Sequence, residues 1–153
     1  MDAVSSPIPP IISVDDHVVE PPDVWTDRLP AKYADAAPRI VIAPQGDMTL
    51  ADGKWVETPG TGDKMAAWWH FGDLRYQIKQ MIACPGMAPE EVTMEGVTYE
   101  DIAPGCYDPE ARLADMDLNH VEASLCFPNY PRFCGQLFAE RKDMELSKLC
   151  VEA

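Results

Sequence analysis

Along ISVDDHVVEPPDVW, residues 12–25, apolar positions run almost unbroken and then give way to charge. Residues 11–16 lack the polar alternation of a half-exposed strand, so they predict a strand covered on both faces. Pro21 and Pro22 mark its exit into a loop. A second legible stretch is YDPEARLADMDLNHVEASLCFPN, residues 107–129. Asp108 suits an N-cap and Pro109 a first helical position. Glu110 places negative charge in the first turn, where the helix dipole favours it. Ala111, Ala114 and Leu118 recur on one helical face. Asn119-His120 then turns the chain, and residues 121–127 predict a second strand ended by Pro128-Asn129. After NYPRFCGQLF a last helix carries Leu146, Leu149, Cys150 and Ala153 at i, i+3, i+4 and i+7.

The pattern divides the chain into 11–29, 30–105 and 106–153. The middle region is irregular and rich in Pro and Gly. MTLADGKWVE predicts a hairpin, because Asp52-Gly53 supplies the positive φ angles of a tight turn. DKMAAWWHFGDLRYQIKQMIA, residues 63–83, predicts one or two short helices. A connection this long is expected to form an inserted subdomain or an arm laid over something else. The element order is strand, long insertion, helix, strand, which is a βαβ unit with a swollen first crossover and implies a parallel sheet. Two parallel strands do not make a covered sheet, and the last apolar face is still running at Ala153. The chain is therefore expected to be the front of something larger. The competing expectation is a small protein that completes its sheet through a partner.

Composition narrows the class. The 153 residues suffice for one domain, and 46% hydrophobic with 25% charged residues describes a globular chain. Acids outnumber bases 26 to 12, a net charge of −14, which disfavours binding to nucleic acid and to anionic membranes. No apolar run spans a bilayer and no signal peptide pattern opens the chain, so a cytoplasmic location is expected. Cys84, Cys106, Cys126, Cys134 and Cys150 are odd in number and lack C-x-x-C spacing. They predict neither a disulfide framework nor a zinc ribbon, and each is read as a small buried hydrophobe.

Asp15 and His17 lie two apart on the first strand and share a face, with Asp16 on the other. A carboxylate beside an imidazole at a strand end is half of a metal site, and zinc, manganese and iron(II) all accept that pair. Local hydrogen bonding is the simpler account of the same spacing. His70, among aromatics, is read as packing. The sequence shows no Gly-rich phosphate loop, serine-hydrolase elbow or cysteine nucleophile pattern.

The runs SVDDHVVEPPDVWTDRLPAKYADAAPRIV and YDPEARLADMDLNHVEASLCFPN resemble the amidohydrolase-related branch of the amidohydrolase superfamily. That branch includes hydrolases and metal-dependent decarboxylases of aromatic and muconate-type acids. The resemblance implies an α/β fold, here the N-terminal portion of a metal-dependent (β/α)8 TIM barrel with a long irregular insertion after the first strand. It places a divalent metal, zinc first and manganese or iron otherwise, at the C-terminal strand ends. The family's first strand ends in His-x-His or Glu-x-His, and the matching positions are Asp15 and His17. The aspartate departs from that pattern and is one methylene shorter than glutamate, so its contact with metal is direct, through water, or absent. The remaining ligand histidine and the catalytic aspartate belong to later strands outside these residues.

Glu20 and Asn129 follow the two strand ends, on the face where a barrel binds substrate; a turn residue bonding to backbone is the alternative for each. Arg132 is a weaker candidate for a substrate carboxylate. His120 falls at the opposite face and is read as structural. The implied activity is hydrolysis of small cyclic amides, lactones or esters by metal-activated water. The alternatives are non-oxidative decarboxylation on the same scaffold, or a non-catalytic fragment acting as an interaction module. The full-length protein is expected to be a homo-oligomer with a small-molecule substrate, and these residues alone are expected to be inactive. Trp55, Trp68, Trp69 and Phe71 are expected either to anchor a subunit interface or to pack back on the same domain.

Overall fold

The computed structural model describes residues 8–132 and 135–153, apart from the side chains at 54 and 55. Strand β1 (Ile11–Val18) leads through helix α1 (Val24–Arg28) into β2 (Arg39–Pro44). A hairpin of β3 (Asp47–Ala51) and β4 (Lys54–Thr58) follows, then β5 (Met65–Phe71) and β6 (Leu74–Gln77). Helix α2 (Pro109–Leu118), strand β7 (Val121–Pro128) and helices α3 (Gln136–Ala139) and α4 (Met144–Glu152) complete the order. The fold is mixed helix and strand. Its strands form three separate sheets: β1-β7, β2-β5-β6 and β3-β4.

The β1-β7 pair is parallel, with Ile11 opposite Val121 and Val18 opposite Pro128. Asp108 caps α2 as its sequence position predicts: its carboxylate accepts from the N–H groups of Glu110 and Ala111 at 2.8 and 2.9 Å. His120 ends the turn after α2 with φ of 58°, and its carbonyl accepts from Ile11 N–H at 2.8 Å. So the helix-to-strand turn and the start of β1 are tied together at the end opposite Asp15 and His17.

Two expectations for this unit need correction. Ile12 and Val14 are each 67% exposed, so β1 is not covered on both faces: among the described residues little packs against these side chains. Ala114 and Leu118 also face outward, with Leu118 77% exposed. Helix α2 instead meets the strands through Arg112, because Asp16 on β1 supplies a partner that attracts a guanidinium more strongly than Leu118 finds an apolar surface.

The region expected to hold short helices is a β-hairpin. β5 pairs antiparallel with β6, and Gly72-Asp73 makes the two-residue turn with Gly72 at φ of 58°. Gly-Asp is itself a hairpin signal, and the aromatic run before it favours a pleated surface over a helix. Only Gln80–Ile82 forms a short 3-10 turn there. The other hairpin is as predicted: Asp52 and Gly53 sit at φ of 51° and 74° between β3 and β4.

The insertion is not an arm. Trp69 and Phe71 of β5 pack with Trp25 of α1, Tyr130 and Phe138 of α3 in the main core. The Trp25 and Trp69 rings meet edge-on at 4.8 Å, and the Trp25 indole N–H donates to Cys150 O of α4 at 2.9 Å. Trp68 is buried on the opposite face of β5, over Gly46, where the ring lies 2.6 Å from the position a Cβ would take. Of the aromatics weighed as interface anchors, Trp68, Trp69 and Phe71 therefore pack within the chain; the Trp55 side chain lies outside the described set. Cys106 and Cys150 are buried and Cys84 half-buried, but Cys126 is exposed, against the expectation for each cysteine. All four are free thiols, and Cys134 lies outside the described residues.

Candidate metal half-site and strand-end clamp

Strand β1 delivers its charged residues across a register shift between Ser13 and Asp16, which breaks simple alternation there. Asp16 turns toward α2, where Arg112 Nη2 lies 3.1 Å from its carboxylate. Ser13 Oγ donates to Asp16 at 2.7 Å, and Ser124 of β7 donates to the same carboxylate. The two hydroxyl bonds and then Arg112 hold the Asp16 carboxyl below the usual carboxylate range. Asp15 and His17 flank Asp16 in the strand, and His17 together with Asp16 lines a cavity that Arg112, Asp115, Met116 and Asn119 also border. His17 Nε2 and Asp15 Oδ1 are 3.9 Å apart, and both side chains are more than half exposed. Phe127 of β7, the register partner of His17, stands with its ring 6.0 Å away.

That geometry can be tested against a metal. Two donors at zinc-ligand distances and a tetrahedral angle lie about 3.4 Å apart. The observed 3.9 Å is within a small side-chain rotation of that value. One carboxylate oxygen and one imidazole nitrogen fill two positions of a first shell. Among the described residues no group of three His, Cys, Asp or Glu side chains gathers to fill more. The cavity that His17 borders, about 330 Å³, is also lined by Val19, Ile82, Pro85 and Cys106, so both α2 and part of the insertion approach the strand end.

Glu20 and Asn129 lock the two strand ends together. Glu20 Oε1 accepts from Asn129 N–H at 2.8 Å, and Oε2 accepts from Tyr130 N–H at 3.1 Å. Asn129 Nδ2 donates to Val18 O at 2.8 Å, and the Tyr99 hydroxyl donates to Glu20 O at 2.6 Å. Glu20 is buried, and that burial pushes its carboxyl up against the opposing pull of the backbone N–H groups. The bonding falls on the neighbouring strand's exit, a contact no periodicity in the sequence announces. Beside the clamp lies a cavity of about 390 Å³ between Glu20, Trp25, Pro128, Phe138 and Cys150. Arg132 follows with φ of 60° and is exposed.

His120 is part of the turn and His70 is half-buried on β5, so neither joins the Asp15–His17 pair. Sequence reasoning missed the Asp16–Ser124–Arg112 cluster, whose members lie on three elements. It also missed Arg39, His70 and Arg75, which stand as direct cross-strand neighbours on β2, β5 and β6. Among the described residues no helix is long and apolar enough to cross a membrane. The chain matches no protein-family model and no curated protein.

Proposed function

We propose that β1, α2 and β7 are the opening β/α unit of a metal-dependent hydrolase barrel, with Asp15 and His17 as its first two metal ligands. The observation that carries the reading is their pairing, 3.9 Å apart and more than half exposed at the end of a parallel strand. Three features support it. The two strands are parallel, with a helix between them in sequence, the connection a (β/α)8 barrel repeats. Asp16 is engaged by Arg112 and two serine hydroxyls, which leaves Asp15 and His17, both more than half exposed, as the donors at the strand end. Ile12, Val14 and Leu125 leave apolar sheet surface uncovered, as further strands and their side chains would require.

A divalent metal in this position, zinc first and manganese or iron otherwise, would acidify a bound water and polarise a carbonyl. His17 would contribute a neutral imidazole nitrogen, and Asp15 a carboxylate oxygen that offsets part of the ion's charge. Glu20 and Asn129 act as positioning residues that fix the strand exits. No described residue donates to Asn129 Oδ1, which leaves that oxygen for substrate. The remaining ligand and the proton-shuttling carboxylate belong to residues other than these. Substrates are small cyclic amides, lactones or esters, and the compartment is the cytoplasm. Product analysis on the complete enzyme distinguishes hydrolysis, which adds water, from decarboxylation, which releases carbon dioxide.

The test is a zinc titration of the protein against its His17→Ala variant in chelator-free buffer. Two side-chain donors hold zinc weakly, and the substitution removes that binding. Unchanged zinc affinity and stoichiometry in the variant sinks the reading.

A further inference from the structure

The three-stranded sheet sets one imidazole between two arginines. In its register Arg39 of β2 is the direct partner of His70 of β5, and His70 is the direct partner of Arg75 of β6. Cross-strand partners share a face and stand about 5 Å apart at Cβ. Two guanidiniums therefore flank one imidazole in a single row. The row borders a cavity of about 340 Å³ whose rim also includes Arg141 and Lys142, from the turn between α3 and α4. Four of the chain's twelve Lys and Arg residues thus meet at one concavity, in a molecule with 26 acids.

The acids available do not neutralise the row. Among the described residues, Arg39 and Arg75 form no salt bridge with a carboxylate, although Arg75 acts at longer range on Asp73. Main-chain carbonyls hold them instead: Arg39 Nη1 donates to Asp35 O at 2.9 Å, and Arg75 Nη1 donates to Gly72 O at 2.8 Å and Leu74 O at 2.6 Å. Each guanidinium is oriented yet keeps donors over. Asp143 caps α4 through Leu146 N–H, and Asp73 pairs with Arg141 at 2.7 Å while standing almost fully in solvent. His70 Nε2 is buried and has no hydrogen-bond partner among the described residues. Burial first, then Arg75 and Arg39, hold that imidazole below its usual range.

We propose that Arg39, His70 and Arg75, with Arg141 and Lys142 at the rim, bind the phosphate group of a small phosphorylated molecule. Several guanidinium forks offer more N–H donors than one carboxylate can accept, whereas a phosphate has three terminal oxygens to receive them. Phe71, Ala36 and Leu146 give the same cavity an apolar part for the organic remainder. The site shares no residue with the Asp15–His17 pair and stands independently of the metal reading. The molecule's net negative charge slows the approach of an anion from a distance, but salt screens that field while the short contacts persist.

The experiment follows the His70 imidazole by NMR while inorganic phosphate is added at constant ionic strength against chloride, with His70→Gln assigning the signal. Saturable binding is expected by about 10 mM, with the His70 pKa rising as the dianion offsets the two arginines. Asp35, Asp73, Arg141, Lys142 and Asp143 stand around the imidazole in both states, so the rise reports the added anion. The Arg39→Gln, Arg75→Gln double variant is expected to bind phosphate at least about tenfold more weakly. Phenyl phosphate binding more tightly than inorganic phosphate supports an organic occupant. The proposal is overturned by a response no larger than that to chloride, by phosphate affinity unchanged in the double variant, or by phenyl phosphate failing to compete with inorganic phosphate.

Discussion

Glu20 and Asp16 sit four residues apart and respond to pH with opposite signs. Burial raises the Glu20 carboxyl, so the folded state holds that proton more tightly than the unfolded chain. Its contribution is complete below the ordinary carboxylate range and is lost as pH rises through the raised value. Glu20→Gln keeps an acceptor for the Asn129 and Tyr130 N–H groups and removes the charge. Its stability relative to wild type is therefore expected to grow between about pH 4 and pH 7. Glu20→Ala leaves both N–H groups unpaired and is expected to cost about 2–3 kcal/mol. Asp16 is the reverse case, because Ser124, Ser13 and Arg112 favour its charged form. Its contribution is present above the ordinary range and fades as pH falls through the lowered value. Asp16→Asn is expected to cost about 1 kcal/mol at pH 7, with the deficit shrinking below about pH 4. Urea unfolding across that range checks both signs.

At the scale of the element, α2 shows which parts of a helix its own sequence settles. Its start depends on Asp108, whose carboxylate reaches two backbone N–H groups. Asp108→Ala is expected to cost about 1 kcal/mol. Its end depends on His120, a non-glycine residue at φ of 58°. His120→Gly removes that left-handed strain while the Ile11 N–H bond, made to the backbone carbonyl, persists. A gain of about 0.5–1 kcal/mol is expected. Thermal melts of the two single variants should therefore move in opposite directions. The caps were legible because each is made within a few residues. The burial of α2 was not, because its partner surface is Asp16, more than ninety residues earlier in the chain.

Across the whole molecule, stability concentrates where α1, β5, α3 and α4 meet. Trp25 touches Trp69, Tyr130 and Phe138 and also satisfies a carbonyl of α4. Trp25→Ala is expected to cost about 3–5 kcal/mol, from lost burial and the cavity left behind. Because the indole also ties down Cys150, limited proteolysis should cut first within 144–152 in this variant. The β1-β7 unit depends less on that core. Its apolar residues Ile12, Val14 and Leu125 remain more than half exposed.

The sequence alone determined the local features: the strand that ends in charge, the Asp108 cap, the Asp52-Gly53 turn, the second strand and the last helix. These follow from backbone sterics and hydrogen bonds within a few residues, and a separation of two along the strand brings Asp15 within 3.9 Å of His17. The same logic misread residues 63–83 as helical, since a run rich in aromatics carries no decisive period. Only tertiary structure decided that these residues form the core sheet, that Glu20 clamps β7, and that two arginines flank His70. Each of these is a pairing between distant segments. Such a pairing depends on which surfaces the collapsed chain brings together, and no single segment specifies that.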